Sequence, residues 1–288
     1  MLKILKKSRL YIFLSICYHE LKCSITGKEI VIAACYGART YFRKNKDKIK
    51  AVESYLQDEE SKKTYLNIIE YRKKFFFRRL FLKKEDAPVY HKFENQYFIN
   101  DFFKYGENEI LVDCGAYTGD SIEVFSKVVP NFSKVIAFEP DPYNFKQLQE
   151  NYKDNEKIFL INAGAWNKND SLRFSALKES GCSSNLSKSN REKTISVSVL
   201  ALDMQDDIRK SKITFIKMDV EGAELEALKG AEETIKKNKP RLAICLYHYN
   251  RHFVEIPEYI RSIVPDYKFW VRHHSKEYPY ETVLYAGF

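Results

Sequence analysis

Hydrophobic positions change their spacing near residue 106. Between Ile49 and Leu82, Tyr65, Ile68 and Ile69 recur at helical intervals among charged residues, with no glycine or proline, which predicts helices. Asp86-Ala87-Pro88 interrupts that pattern, and an aromatic stretch of Tyr97, Phe98, Phe102 and Phe103 leads to Gly106. Beyond it, apolar runs of strand length alternate with helical segments, as in a parallel sheet whose strands are joined by crossover helices. The predicted strands are Ile110–Cys114, Lys134–Glu139, Ile158–Ala163, Ile213–Met218 and Arg241–Tyr247. The predicted helices between them are Ser121–Val129, Tyr143–Tyr152 and Ala223–Lys237.

Between the third and fourth of these strands, LRFSA and TISVSVLALD alternate in the β manner around a polar stretch, KESGCSSNLSKSN, that reads as a loop. Its segment Ser180 to Ser187 offers hydroxyls and an amide suited to covering a ligand, or simply to solvent. The C-terminal YKFWVRHHSKEYPYETVLYAG predicts two antiparallel strands around a turn at Pro279, closing the sheet edge. The expected organisation is a mainly helical extension, residues 1–106, followed by an α/β domain, residues 107–288.

The chain has 288 residues, 44% of them hydrophobic, enough to bury a full core. Its net charge of +9 is uneven: the first hundred residues hold 22 Lys and Arg against 11 Asp and Glu. A basic segment attracts phosphates of nucleic acid, anionic lipid or a phosphorylated substrate, and a solvated helical face gives the same composition. Leu10 to Tyr18 is apolar behind basic residues but has no small-x-small cleavage site and is too short to span a bilayer. It reads as an amphipathic or packed helix that admits peripheral membrane contact, while the helical N-terminal third as a whole is expected to shape the acceptor side or to form the contact of a homodimer. The six cysteines form no CxxC pair, and Cys114 and Cys245 sit in apolar strand runs, which predicts a reduced, cytoplasmic protein.

The chemistry begins with VDCGAYTGD, Val112 to Asp120. A glycine-rich turn after a buried strand lets the backbone approach a nucleotide at a helix N-terminus. Gly115 and Gly119 form GAYTG, but the dinucleotide fingerprint needs a middle glycine where this chain has Tyr117, which argues against a dinucleotide. A purely structural tight turn has the same sequence. In KVIAFEPDP, Glu139 closes a strand 26 residues after Asp113, beside Pro140, a position suited to accepting both ribose hydroxyls of a nucleoside. Its structural alternative is a neighbour of a helix cap ahead of Asp141. Asp113 is placed either to orient the ammonium of a ligand or to satisfy turn amides.

Together with INAGAW, FIKMDVEGAELEALKGAEETI, PRLAICLYH and ETVLYA, these motifs make residues 92–288 resemble the FkbM-type methyltransferases, class I enzymes that use S-adenosylmethionine. The resemblance implies a Rossmann-like, doubly wound, mostly parallel seven-stranded sheet with an antiparallel last strand. It also implies O-methylation of sugars, polysaccharides or natural products. Carried onto this chain, the implied cofactor contacts are Asp113, Gly115 and Tyr117 in the first turn, Glu139 on ribose, and Asn162, Ala163 and Gly164 near adenine. Asp219, in Met218-Asp219-Val220-Glu221-Gly222, is expected near the transferred methyl group, at the carboxyl edge where open α/β sheets hold ligands.

His248, after the fifth predicted strand, is the candidate base, since imidazole titrates near working pH. Asp219 or Glu221 is then expected to hold the acceptor hydroxyl or orient that histidine. The plainer alternatives are a hydrogen-bonded strand-end histidine and an acidic residue near a helix start. Carboxylates with His248 also suit a divalent cation, but the spacing is not diagnostic and no metal ligand is assigned. His273 and His274, beside Arg272, read as a solvated strand end or an anion contact. The expected acceptor is a sugar, a nucleotide-activated sugar or a phosphate-bearing glycan precursor of surface polysaccharide. A nucleic-acid methyltransferase is the rival, although MDVEG stands where amino methylation of bases has Asn/Asp-Pro-Pro-aromatic, so no specific nucleic acid is expected. A second rival is a non-catalytic protein docking through residues 1–100.

Overall fold

Parallel pairing follows directly from the apolar runs, which are too continuous to leave either sheet face in water. In the computed structural model the described residues are 35, 37–81, 90–91, 96–175, 194–276 and 278–288. The expected segment Leu10–Tyr18, the breaker at Asp86–Pro88 and the Ser180–Ser187 loop lie outside them. The main sheet has seven strands in the order β3-β2-β1-β7-β8-β10-β9. These are β1 Ile110–Cys114, β2 Lys134–Phe138, β3 Ile158–Ile161, β7 Phe215–Met218, β8 Arg241–Cys245, β9 Lys268–His273 and β10 Thr282–Gly287. The pairs from β3 through β8 are parallel. β10 is reversed: it follows β9 through residues 274–281, where the His274 N–H donates to the Glu281 carbonyl at 2.8 Å. This is the doubly wound class I methyltransferase sheet that the motifs implied.

The insertion between β3 and β7 makes a second, three-stranded sheet of β4 Gly164–Ala165, β5 Asp170–Ser175 and β6 Thr194–Leu200, with β5 and β6 antiparallel. The helix expected over Ala223–Lys237 is instead two short helices, Glu224–Lys229 and Glu232–Asn238. The break falls at Gly230, where a Cβ would stand 1.9 Å from the Trp166 carbonyl oxygen. Backbone contact with Trp166 therefore overrides the continuous helical periodicity.

Two compact units are distinguishable. The larger takes residues 94–245, 259–268 and 284–288. Residues 96–105, read from sequence as part of the extension, pack within it: Phe98 and Phe103 are buried, and the Phe98 ring lies 5.1 Å from Phe125 and 5.2 Å from Phe215. The larger unit contains the crossover helices α4 Asp120–Val128 and α5 Pro142–Tyr152. The Asp141 carboxylate caps α5 through the amides of Tyr143 and Asn144, and Pro142 supplies its fixed φ at the first turn.

The smaller unit joins residues 1–93 to 246–258 and 269–283. Its helices include α1 Ala38–Lys44, α2 Lys46–Tyr55 and α3 Glu59–Phe81, which bears out the helical reading of this region. The buried Arg72 of α3 donates to the carbonyls of Tyr247 (3.0 Å) and Pro279 (2.9 Å) and to Asn250 Oδ1 (3.1 Å), with the Phe253 ring 5.1 Å beneath it. The strand-end cluster is not solvated: Arg272, His273 and His274 are all buried. Arg272 pairs with Asp58 at 3.0 Å and Glu60 at 3.3 Å, and His273 Nδ1 lies 2.8 Å from the Thr282 hydroxyl. Burial, with His274 alongside, pushes the His273 imidazole down to about 3, so it stays neutral. The sequence could not show that α3 and its preceding turn cover this strand end.

Arg72→Met leaves three buried acceptors without their donor. The expected loss is about 3 kcal/mol, seen as a lower urea midpoint with an unchanged slope; an unchanged midpoint would contradict this bracing role.

Candidate cofactor and catalytic site

A lysine at the third position of β7 fixes the site. Lys217 stands directly opposite Asp113 of β1 in the parallel register, and both are buried. Its Nζ lies 3.0 Å from Asp113 Oδ1, donates to the Gly115 carbonyl at 2.7 Å, and sits 5.0 Å from the Tyr97 ring centroid. Burial opposes its charge, but Asp113, Asp219 and Asp120 prevail and raise its pKa above the usual lysine range. The other oxygen of Asp113 accepts from the Ser121 hydroxyl. Asp113 is thus engaged by the protein itself, through Lys217 on one oxygen and Ser121 on the other.

The turn after β1, residues 115–119, is braced at every step. The amides of Gly115 and Ala116 both donate to the Phe138 carbonyl, at 2.9 and 3.0 Å. Gly115 has φ +85°, and a Cβ there would lie 1.9 Å from the Asp219 carbonyl oxygen, so β1 and β7 can end side by side only without a side chain. Gly119 faces the Tyr152 ring, 2.2 Å from where its Cβ would be, and its carbonyl accepts from the Tyr152 hydroxyl at 2.7 Å. Its missing side chain serves helix packing. Tyr117, in place of the middle glycine, adopts φ +51°, a left-handed conformation uncommon for a bulky residue.

The Tyr117 amide donates to Glu139 Oε2 and the Asp141 amide to Oε1, both at 2.9 Å. Each oxygen of this buried carboxylate therefore accepts one backbone bond and keeps capacity for another. Burial pushes the Glu139 carboxyl up to about 7, against the lowering effect of those two amides. Glu139 is both the brace of the turn and an acceptor of the kind two vicinal hydroxyls require. Asn162 Nδ2 donates to the Glu139 carbonyl at 2.8 Å, and Gly164 stands beside Pro140, whose Cβ would be 3.7 Å from a Cβ on the glycine; Ala163 is buried between them in sequence. The residues from the first turn, β2 and β3 are thus brought to one edge of the sheet.

At the end of β7, Asp219 Oδ2 accepts from the Tyr97 hydroxyl at 2.8 Å. The helix-start role open to Asp219 falls instead to Glu224, whose Oε1 accepts the amides of Val220 (3.0 Å) and Gly222 (3.3 Å). Oxygens of Asp219 and Glu224 approach within 4.8 Å. Glu221 is left-handed at φ +53° in the loop between them. His248, three residues beyond β8, is buried with its ring 4.2 Å from that of Tyr247.

Lys217, Tyr97 and Glu224 were missed by the sequence reading. Lys217 carried a readable signal, a lysine within an otherwise apolar central strand. Tyr97 carried none, because its partner is 122 residues away.

Lys217→Met strips Asp113 of its counter-charge and is expected to cost about 3–5 kcal/mol. Adding Asp113→Asn should recover a substantial part. Chemical unfolding of the single and double variants measures this, and simple additivity would rule the pairing out.

The model of the methyltransferase FkbM domain matches residues 113–272. Among solved structures, methyltransferase FkbM from Methylobacillus flagellatus KT is 28% identical, with a TM-score of 0.68 over 86% of this chain and 60% of that one. This chain thus spans about three fifths of that relative's length. An rRNA methylase from Streptococcus thermophilus is 14% identical, with a TM-score of 0.40 over 62% of this chain and 86% of its own. A comparison with curated proteins finds no significant match. With the domain model matched over more than half of its length and the seven-stranded sheet in place, the chain belongs to the FkbM family of S-adenosylmethionine-dependent methyltransferases.

Proposed function

We propose that the protein transfers the methyl group of S-adenosylmethionine to a hydroxyl of a sugar, a nucleotide-activated sugar or a phosphate-bearing glycan precursor, in the making of a surface polysaccharide in the cytoplasm. The observation that carries the cofactor part is Glu139. A buried carboxylate with one accepted amide on each oxygen, at the end of the second strand of a doubly wound sheet, suits a ribose diol. The braced turn 115–119 and the segment Asn162–Gly164 are the residues to hold the rest of the nucleoside. Bound there, S-adenosylmethionine supplies an electrophilic methyl group. Asp219 directly follows β7, at the carboxyl edge of the sheet, and His248 stands three residues past the end of β8.

In this reading His248 accepts the proton of the acceptor hydroxyl as the oxygen attacks, and Asp219, oriented by Tyr97, positions that hydroxyl or the imidazole. Glu221 is the further candidate for the same role. No helix among the described residues is long and apolar enough to cross a membrane. The acceptor part of the proposal rests on the family motifs and on the need for a base beside an alcohol. No metal is assigned a step, and a chelator is expected to leave turnover intact.

Two measurements follow. Because ribose hydroxyls bond best to ionised Glu139, whose carboxyl stands at about 7, cofactor binding must deprotonate it. Affinity should therefore climb as pH rises through 7 and fall up to roughly tenfold per pH unit below it. Calorimetric titration checks this, and Glu139→Gln should bind weakly with that pH dependence gone. For the reaction, nucleotide sugars and extracted glycans are screened with methyl-labelled cofactor and analysed by mass. On the acceptor so found, His248→Ala should lose at least about a hundredfold in kcat; full turnover would remove histidine from the chemistry.

A further inference from the structure

The smaller unit carries an aromatic run that the cofactor chemistry does not use. Tyr278 and Tyr280, in the connection between β9 and β10, are 54% and 36% exposed, and their rings are stacked at 6.2 Å with 20° between planes. Tyr280 meets Tyr247 edge-on, 6.3 Å and 71°. Tyr247 in turn lies against the His248 imidazole at 4.2 Å. Four rings thus lead without a gap from solvent to the proposed base. They are also held rigidly, since Arg72 grips the carbonyls of Tyr247 and Pro279 together.

We infer that Tyr278 and Tyr280 are a stacking platform for a pyranose ring of the methyl acceptor. Scattered exposed aromatics need no explanation, but parallel tyrosines presented on a braced connection are a binding surface in waiting. A flat ring with a negative face attracts the C–H face of a sugar, and the phenol hydroxyls serve the sugar's polar rim. A nucleobase would stack equally well but carries no alcohol for His248 to deprotonate. A pyranose carries hydroxyls around the edge of the very face that stacks. The inference rests on the O-methyltransferase reading and adds to it the residues that select the acceptor.

Saturation-transfer NMR on the full chain tests this with methyl glycosides of glucose, galactose, mannose and N-acetylglucosamine, with adenosine monophosphate as the stacking control and S-adenosylhomocysteine as a reporter of the cofactor site. The expected result is saturation of ring C–H protons of at least one glycoside. It should drop roughly fivefold or more in Tyr278→Ala/Tyr280→Ala and survive in Tyr278→Phe/Tyr280→Phe, whose rings still stack. Near-ultraviolet circular dichroism confirms that both variants fold. No glycoside signal, an undiminished signal in the alanine variant, or transfer to adenosine monophosphate in place of the glycosides overturns the platform. If S-adenosylhomocysteine is saturated while the glycosides are not, the platform alone fails; if neither is, the methyltransferase reading fails with it.

Discussion

The central constraint is an ion pair placed where ions are costly. Asp113 and Lys217 face each other across two parallel strands in the middle of the sheet, each with almost no access to water. Neither charge is tolerable alone, since an unpaired buried ion carries a penalty of several kcal/mol. The arrangement is tolerable because the ammonium also donates to the Gly115 carbonyl and faces the Tyr97 ring. The same ammonium therefore locks strand register and turn geometry. From the turn, order passes through the Tyr117 amide to Glu139 and through the Gly115 approach to the backbone of Asp219.

The smaller unit solves a comparable problem with a guanidinium. The charge of Arg72 is spread over two backbone carbonyls, an amide oxygen and an aromatic face. Arginine suits this because its planar fork reaches several acceptors at once and its charge is weakly hydrated. The carbonyls it holds belong to residues just past β8 and to the β9–β10 connection, so segments distant in sequence are fixed against each other by one side chain. The neighbouring Arg272 does the more ordinary thing, pairing with Asp58 and Glu60.

Much of this was legible in the chain, and the reasons are local. Strand positions could be read because β1, β2, β7 and β8 are almost wholly buried and so mostly apolar, with Asp113 and Lys217 the paired exceptions at their centre. Their ends could be read because Gly115, Glu139 and Asp219 close those runs. The helix break at Gly230 could not be read, as it depends on the Trp166 carbonyl arriving from a strand-rich insertion. Nor could the burial of His273 and His274, which α3 and its preceding residues bring about from two hundred positions away. The motif around Asp219 is legible in the sequence, whereas Tyr97, which donates to its carboxylate, stands in the aromatic stretch before Gly106 with nothing local to set it apart.

Tyr117 and Glu221 both hold left-handed backbone angles that ordinary side chains avoid, and each stands in a loop at the carboxyl edge, one after β1 and the other after β7. A strained residue persists only where its surroundings over-determine it. Relaxing either with glycine or asparagine, which accept that region readily, is the kind of change that raises thermal resistance at some cost in function. For anyone engineering this fold, those two positions are the first at which to look for added hardiness.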